Sequence, residues 1–144
     1  MSLPGLPGLP GLSLSEQRTR QLAAGLGLSL MAFGILPAVA PKPFARLFGF
    51  EQPTAETASM MRSIGVRDAV MGAGLWSAAA HGGKYAPWLL SRILADGGDA
   101  VAISIAAAQG KRQPRFLGLG GLALAATVAD AALWALARRP QAQE

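Results

Sequence analysis

The sequence of 144 residues contains no cysteine and a single histidine, and only 15% of its residues are charged. Without cysteine the chain forms no disulfide and offers no thiolate to a metal, so the redox compartment cannot be inferred. One histidine, His81, cannot build a metal site by itself, and we predict neither a metal nor a cofactor. The charged fraction lies well below the ~25% of soluble globular proteins, which favours a membrane protein.

The acidic residues are few, and they are divided by type along the chain. All four aspartates fall inside apolar helix-forming segments, together with two arginines, whereas all four glutamates lie outside these segments. An ionisable side chain inside a membrane span costs at least ~2.5 kcal/mol on insertion scales, so each one needs a partner, water or a function. The candidate site residues are Arg67, Asp68, Arg92, Asp96, Asp99 and Asp130.

Four apolar segments of helical length predict an all-α fold, a four-transmembrane-helix bundle within residues 16–139. A helix of about 20 residues crosses a hydrocarbon core of ~30 Å, because it rises ~1.5 Å per residue. The predicted spans cover residues 21–40, 59–80, 87–108 and 116–137. Residues 1–15 contain three copies of Pro-Gly-Leu and predict a disordered tail, and residues 140–144 form a short C-terminal tail.

Local signals predict some of the helix ends. Thr54 follows a proline and precedes an acid in the first turn, which predicts an N-cap for the second long helix. Residues 41–53 alternate proline, phenylalanine and basic residues, which suits either a short interfacial helix or an ordinary polar loop. Residues 38–40 resemble a signal-peptidase site, but a proline follows directly and should obstruct cleavage there.

The basic residues do not orient the predicted bundle. Four spans place both termini on one side, side A, which also holds residues 81–86; the opposite side is side B. Side A carries Arg18, Arg20, Lys84, Arg138 and Arg139, and side B carries Lys42, Arg46, Arg62, Lys111, Arg112 and Arg115. The positive-inside rule needs an asymmetry, so we predict a multi-pass membrane protein of undetermined orientation. Short basic clusters at span ends suit a lipid bilayer as partner, and without a single basic stripe nucleic acid is not expected.

Three charged residues of the third span share one face of the helix. Arg92, Asp96 and Asp99 are spaced i, i+4 and i+7, which places them in a stripe about 60° wide. Gly97 and Gly98 lie between the two acids, and each weakens a helix by about 1 kcal/mol relative to alanine. Paired glycines permit a kink, a close neighbouring helix or access to backbone carbonyls. Close packing is the simplest of these interpretations.

Depth along the helices predicts which charges meet. A rise of ~1.5 Å per residue puts Asp130 level with Asp96 and within reach of Arg92. The adjacent pair Arg67 and Asp68 of the second span lies level with the acid nearest side B on the third span. We therefore expect a chain of polar contacts that links the second, third and fourth spans.

The charges in this predicted cluster do not balance, because four carboxylates face two guanidiniums. Protons on one or two aspartates, a bound cation or a water cavity would offset the surplus. Three functions stay open: a structural or assembly role, a membrane-embedded enzyme or binder of a lipophilic small molecule, and proton or cation translocation. Catalytic residues are unknown, since no serine has a histidine in its own segment, and a homo-oligomer also stays open.

The order of these features resembles a known family. Phe-Gly-Ile-Leu at 33–36 precedes Pro-Lys-Pro-Phe-Ala-Arg-Leu-Phe-Gly at 41–49, followed by Gly-Val-Arg-Asp at 65–68, Asp-Gly-Gly-Asp at 96–99 and a late Asp130. This arrangement is similar to the small four-helix membrane proteins grouped as domain of unknown function 4267. Gly-Val-Arg-Asp and Asp-x-x-Asp are its most specific elements. The resemblance implies a membrane location and a helical bundle for about residues 20–138, and it implies no activity.

Overall fold

The computed structural model of the chain describes residues 15–48, 50–108 and 114–138, and these contain helices and no strand. The five helices are α1 Glu16–Val39, α2 Pro41–Leu47, α3 Ala55–Ala80, α4 Ala86–Ala108 and α5 Pro114–Ala137. The prediction of an all-α fold is therefore confirmed. Apart from Ser15, the predicted tails at 1–15 and 140–144 lie outside the described residues.

The first helix begins before the predicted span because it has its own N-cap. Ser15 has extended backbone angles, and its hydroxyl accepts a hydrogen bond from the backbone N–H of Arg18 at 3.4 Å. Glu16 adds a negative charge to the first turn, where the helix dipole favours it. After a break at Ala40, α2 begins at once with Pro41 in a first-turn position that tolerates proline.

The segment after α1 forms a helix, so the helical alternative for residues 41–53 is the correct one for its first seven residues. Phe44 is buried, and its ring meets that of Phe33 edge-on at a centroid distance of 5.4 Å. It also packs with Met61 of α3 in a small apolar core. Leu47, by contrast, is 81% exposed. The short helix therefore closes the side B end of α1 and α3 and directs one large apolar side chain outward.

Thr54 is the N-cap of α3, as the sequence predicts. Its hydroxyl accepts a hydrogen bond from the backbone N–H of Thr57 at 3.2 Å. A hydrogen bond from the Thr54 side chain, with a second from the backbone, lowers the pKa of Glu56. The contribution of Glu56 to stability is therefore present above its unfolded-state pKa, and it is lost as the pH falls through the lowered pKa.

Removal of this cap is expected to weaken α3 modestly. We expect Thr54→Ala to lower the free energy of unfolding by about 1 kcal/mol, because an N–H of the first turn loses its acceptor. Thr54→Ser keeps the hydroxyl and is expected to stay close to wild type. Thermal unfolding of the purified protein, followed by circular dichroism, measures both variants. Equal losses from alanine and serine would contradict the capping role.

The long helices form two antiparallel pairs, α1 with α3 and α4 with α5, and contacts between the pairs are fewer. Glycines bring the first pair together, since Gly27 faces Gly72 and Gly34 faces Gly65. A Cβ atom on Gly27 would lie 2.7 Å from the Gly72 carbonyl oxygen, and one on Gly34 would lie 2.6 Å from that of Gly65. No side chain larger than hydrogen fits, so the two backbones approach directly, as in glycine-mediated membrane helix pairs.

The two pairs meet near side A in an apolar cluster. Its buried members are Ala23, Leu75, Ala79, Tyr85, Leu89 and Leu133. Arg20 of α1 holds the adjacent turn, because its Nη1 donates to the carbonyl oxygen of Gly83 at 3.1 Å. The guanidinium carbon of Arg20 also lies 5.1 Å from the centroid of the Tyr85 ring. All four long helices are thus joined at this end.

Among the described residues, α1 is the one helix that is long and apolar enough to cross a membrane by length and composition. It lies near the N-terminus, and signal sequences and core helices of soluble proteins share these properties, so this is weak evidence for a membrane location. In α5, the described apolar stretch is the shorter Ala123–Ala137. The four-span arrangement is therefore not established by this criterion.

Candidate functional site

The six charged residues singled out in the sequence form two groups between neighbouring helices. Each group contains one arginine and two aspartates. The outer triad is Arg67 with Asp68 and Asp99, and the inner triad is Arg92 with Asp96 and Asp130. The structure thus contains both of the groupings that helical rise predicts, and it links α3, α4 and α5 through them.

The outer triad joins α3 to α4 by a two-bond contact. Nη1 and Nη2 of Arg67 donate to Oδ1 and Oδ2 of Asp99 at 3.2 and 2.8 Å, a bidentate geometry that satisfies both carboxylate oxygens. Nε of Arg67 donates to Oδ1 of Asp68 at 2.9 Å. Side-chain exposure is 31% for Arg67 and 38% for Asp99, so this triad lies near the molecular surface.

The bond between Arg67 and Asp68 was not expected from the sequence. Adjacent residues of a helix diverge by about 100°, which suggests that they face different neighbours. The long arginine side chain bends across this angle and reaches Asp68 with Nε while its far end holds Asp99. Spacing along a helix fixes the direction of the Cα–Cβ bond, and it does not fix where a flexible side chain ends.

The inner triad is more deeply buried and is bonded differently. Nη2 of Arg92 donates to Oδ2 of Asp96 at 2.7 Å, and Nε donates to Oδ2 of Asp130 at 3.0 Å. Arg92 is 3% exposed and Asp130 is 1% exposed. Nε and Nη2 of a guanidinium often donate together to the two oxygens of one carboxylate. Here these two nitrogens donate to one oxygen from each of two carboxylates.

One oxygen of the inner triad has no hydrogen-bond partner among the described residues. It is Oδ1 of Asp130, and it is fully buried. The nearby hydroxyl of Thr127 does not serve it, because that group donates to the backbone carbonyl of Ala123 at 2.9 Å. Buried polar atoms are nearly always paired, and an unpaired one costs about 1–3 kcal/mol, or more when charged. This atom marks the inner triad as chemically unusual.

The glycines between Asp96 and Asp99 do not support close packing. A Cβ atom built on Gly97 or Gly98 would meet no heavy atom within 4 Å of the described structure. The helix α4 continues through both positions. Within the described part of the chain, these glycines therefore do not serve close packing. Glycine alone in a sequence does not reveal which face of its helix meets a neighbour.

A groove that the described residues form at side A lies apart from the two triads. That groove of about 650 Å³ lies between the start of α1 and the end of α3, and it is lined by Glu16, Gln17, Arg20, Gln21, Ala24, Ala79 and Ala80. None of the triad residues contributes to it. In the described ranges, no group of three or more His, Asp or Glu side chains is arranged to hold a metal ion.

One contact on the side of the inner triad towards side A, the hydrogen bond between Arg20 and Gly83, was not predicted from the sequence. The Arg20 bond to the turn at Gly83 holds α1 against the start of α4, one turn and a half before Arg92. The available signal was the shared location of Arg20 and residues 81–86 on side A. It indicates proximity to the same surface, and it cannot specify a backbone carbonyl as the acceptor.

Comparisons with curated proteins and with solved structures give no match. A family model, described as Domain of unknown function (DUF4267), matches residues 27–143, a range that includes both triads. It covers most of the chain and confirms the resemblance drawn from the sequence motifs. The chain belongs to the DUF4267 family, whose description assigns no activity.

Proposed function

We propose that this chain is a multi-pass integral membrane protein whose two triads tie the spanning helices together, in a structural or assembly role. Helix length supports the proposal. The helices α1, α3, α4 and α5 contain 24, 26, 23 and 24 residues. Since a helix rises ~1.5 Å per residue, each exceeds the ~30 Å thickness of a hydrocarbon core.

The observation that carries the proposal is the placement of charged side chains inside and large apolar side chains outside. Arg92 and Asp130 are almost completely buried. Large apolar side chains are more than half exposed on every long helix, among them Leu36 at 56%, Val70 at 60%, Leu94 at 68% and Val128 at 61%. In water both features would be unfavourable, whereas lipid tails solvate the outer surface and leave the charges to pair inside.

The inter-helix ion pairs support a structural role. The pair of Arg67 with Asp99 connects α3 to α4, and the pair of Arg92 with Asp130 connects α4 to α5. Contacts between α3 and α4 are otherwise fewer than those inside each helix pair. A bidentate contact at this position fixes the depth of α4 relative to α3. Hydrophobic burial cannot do this in lipid, because the surrounding tails are equally apolar.

Three matched valines test the proposed location. Val70, Val101 and Val128 lie on α3, α4 and α5 and are 60%, 60% and 61% exposed. Because the chain has no native cysteine, a single Val→Cys change introduces a unique thiol at each position. In intact membranes we expect a water-soluble maleimide to label these thiols far more slowly than that of Lys84→Cys, which lies in the exposed turn. Denaturation in detergent should make all four rates similar.

The same labelling distinguishes four spans from fewer. Four spans place Gln17→Cys, Lys84→Cys and Arg138→Cys on one side of the membrane and Gln52→Cys on the other. A chain anchored by α1 alone would instead place Gln52, Lys84 and Arg138 together. Labelling of the three valine positions at the rate of Lys84→Cys would show that they face water, and it would overturn the membrane proposal.

The ion pair between Arg67 of α3 and Asp99 of α4 predicts a measurable coupling energy. Asp99→Asn and Arg67→Gln are each expected to lower stability, and the double variant is expected to lose less than the sum. The coupling expected for a polar contact between membrane helices is about 0.6 kcal/mol and reaches about 1.7 kcal/mol. Unfolding in mixed detergent micelles measures the cycle. Strictly additive losses would contradict the tie.

A second function, binding of a lipophilic small molecule, is favoured by the unpaired Oδ1 of Asp130. A ligand that carries a hydroxyl or amine group would satisfy this oxygen, and the neighbouring apolar helix faces would accept its tail. Mass spectrometry of the purified protein tests this function. A bound molecule that is present in wild type and absent in Asp96→Asn would support this function, and a wild-type protein that carries none would contradict it.

A further inference from the structure

We propose that Asp96 and Asp130 form a proton-binding carboxyl pair that holds one exchangeable proton between the two side chains. This inference goes beyond the structural role, because it assigns a ligand, the proton, to a specific pair of groups. It rests on the hydrogen bonds of Arg92, on the unpaired oxygen of Asp130 and on the charges of the surrounding helices.

The bonding of Arg92 brings the two carboxyl groups side by side. Oδ2 of Asp96 and Oδ2 of Asp130 accept from the neighbouring nitrogens Nη2 and Nε of one guanidinium, and the two carboxyl groups lie within hydrogen-bonding reach of each other. Two ionised oxygens in these positions repel each other, and two carboxylates that share a site do not readily ionise together. A proton between them replaces the repulsion with a hydrogen bond.

The unpaired oxygen gives an independent reason for the proton. Oδ1 of Asp130 is buried without a partner, in a residue that is 1% exposed. On an ionised carboxylate this oxygen would carry part of a full negative charge with no compensation. On a protonated carboxyl it is close to neutral, so its isolation costs much less. One proton also changes the formal charge of the inner triad from −1 to zero.

The outer triad has the same composition and does not need a proton. Both oxygens of Asp99 are held by Arg67, and the side chain of Asp99 is 38% exposed. That triad also lies closer to side B, where water and interfacial groups can reach its remaining negative charge. The difference between the triads lies in bonding and burial, since each contains one arginine and two aspartates.

The charges around the pair favour a proton over a metal cation as its ligand. The charged residues that act on the pair are Arg92 on α4, which bonds both acids, and Arg67 and Asp68 on α3, which lie near Asp96. The described charged residues of α1 are Glu16, Arg18 and Arg20, at its side A end. Arg92 already occupies the position between the carboxylates that a metal cation would need, and it would repel one.

The proton exchanges from one direction. The side chain of Asp96 is 12% exposed and that of Asp130 is 1% exposed, so Asp96 is the more accessible member of the pair. Towards side A, the apolar cluster that contains Leu75 and Leu89 closes the path. Towards side B, exposure rises along the outer triad to Asp99. We therefore expect the proton to exchange through Asp96, from the side of the outer triad.

Infrared spectroscopy of the purified full-length protein in lipid tests the proposal. At neutral pH we expect the C=O stretch of about one protonated carboxyl per chain, shifted when water is replaced by D₂O. Asp130→Asn and Asp96→Asn should each remove this band, because the remaining acid then pairs alone with Arg92. Asp99→Asn is the matched control and should retain it.

The wild-type spectrum decides the proposal even if a variant fails to fold. A folded wild-type protein without a protonated carboxyl at neutral pH would overturn it. Persistence of the full band in folded Asp130→Asn, or its loss in folded Asp99→Asn, would also overturn it. None of these three results would bear on the membrane location, which the maleimide labelling tests separately.

Discussion

Gly34→Ala is expected to destabilise the protein by about 1–3 kcal/mol, although alanine is the better helix former. The new Cβ atom would lie 2.4 Å from the backbone nitrogen of Ala69 and 2.6 Å from the carbonyl oxygen of Gly65. These are backbone atoms, so no rotamer change can relieve the overlap, and α1 must move away from α3. Gly65→Ala meets the Gly34 carbonyl oxygen at 2.5 Å and is expected to have a similar effect.

The control for this prediction lies on the same helix. No heavy atom lies within 4 Å of a Cβ built on Gly25. Gly25→Ala therefore adds only helix propensity, and we expect it to be neutral or to stabilise by up to about 1 kcal/mol. Unfolding by sodium dodecyl sulfate, followed by circular dichroism, compares the variants at equal protein concentration. Similar stability of Gly34→Ala and Gly25→Ala would contradict direct backbone contact.

Separation of α1 from α3 is also expected to change the contacts of the outer triad. Gly65 and Gly72 lie on α3 on either side of Asp68, and both meet α1. A shift of α3 at these glycines would displace Arg67 from Asp99. We therefore expect Gly65→Ala to weaken the coupling between Arg67 and Asp99, which the double-variant cycle in that background would measure.

The helices of this protein could be predicted from the sequence because their signals are local. Thr54 marks the start of α3 through a hydrogen bond three residues ahead, and apolar composition identifies the long segments. The pairing of helices could be predicted only in part. Gly27 and Gly34 are seven residues apart, as are Gly65 and Gly72, so each pair lies on one helix face. This spacing is visible in the sequence, but the partner helix is not.

The depth of the charged residues along the helices could be predicted from the sequence, whereas the atoms that form each hydrogen bond could not. Helical rise brings Asp130 level with Asp96, because both distances follow from counting residues. Whether Arg92 donates to both Asp96 and Asp130 depends on side-chain rotamers and on the rotation of α5 about its axis. Neither is encoded in residue spacing. Gly97 illustrates the same limit, since its open surroundings also depend on how α4 is rotated.

Removal of the inner arginine is expected to have the largest effect among single side-chain changes. Arg92→Met keeps most of the aliphatic volume and removes both charged hydrogen bonds, which leaves Asp96 and Asp130 buried with no opposite charge. Loss of one partner from a buried ion pair costs about 3–5 kcal/mol, and we expect a loss in this range. The cost follows from burial, because Arg92 is 3% exposed and water cannot replace the guanidinium.

The outer arginine provides the matched comparison. Arg67→Met removes a guanidinium that also serves two aspartates, but its side chain is 31% exposed and its triad lies closer to side B, where interfacial water can reach the remaining charges. We expect a clearly smaller loss than for Arg92→Met, measured by the same unfolding in detergent. Adding Asp130→Asn to Arg92→Met leaves a single acid, which one proton neutralises, and should recover part of the stability. Equal losses at the two arginines would show that burial of charge does not set the cost, because two triads of identical composition would then respond alike despite their different exposure. A double variant that recovers no stability would lead to the same conclusion.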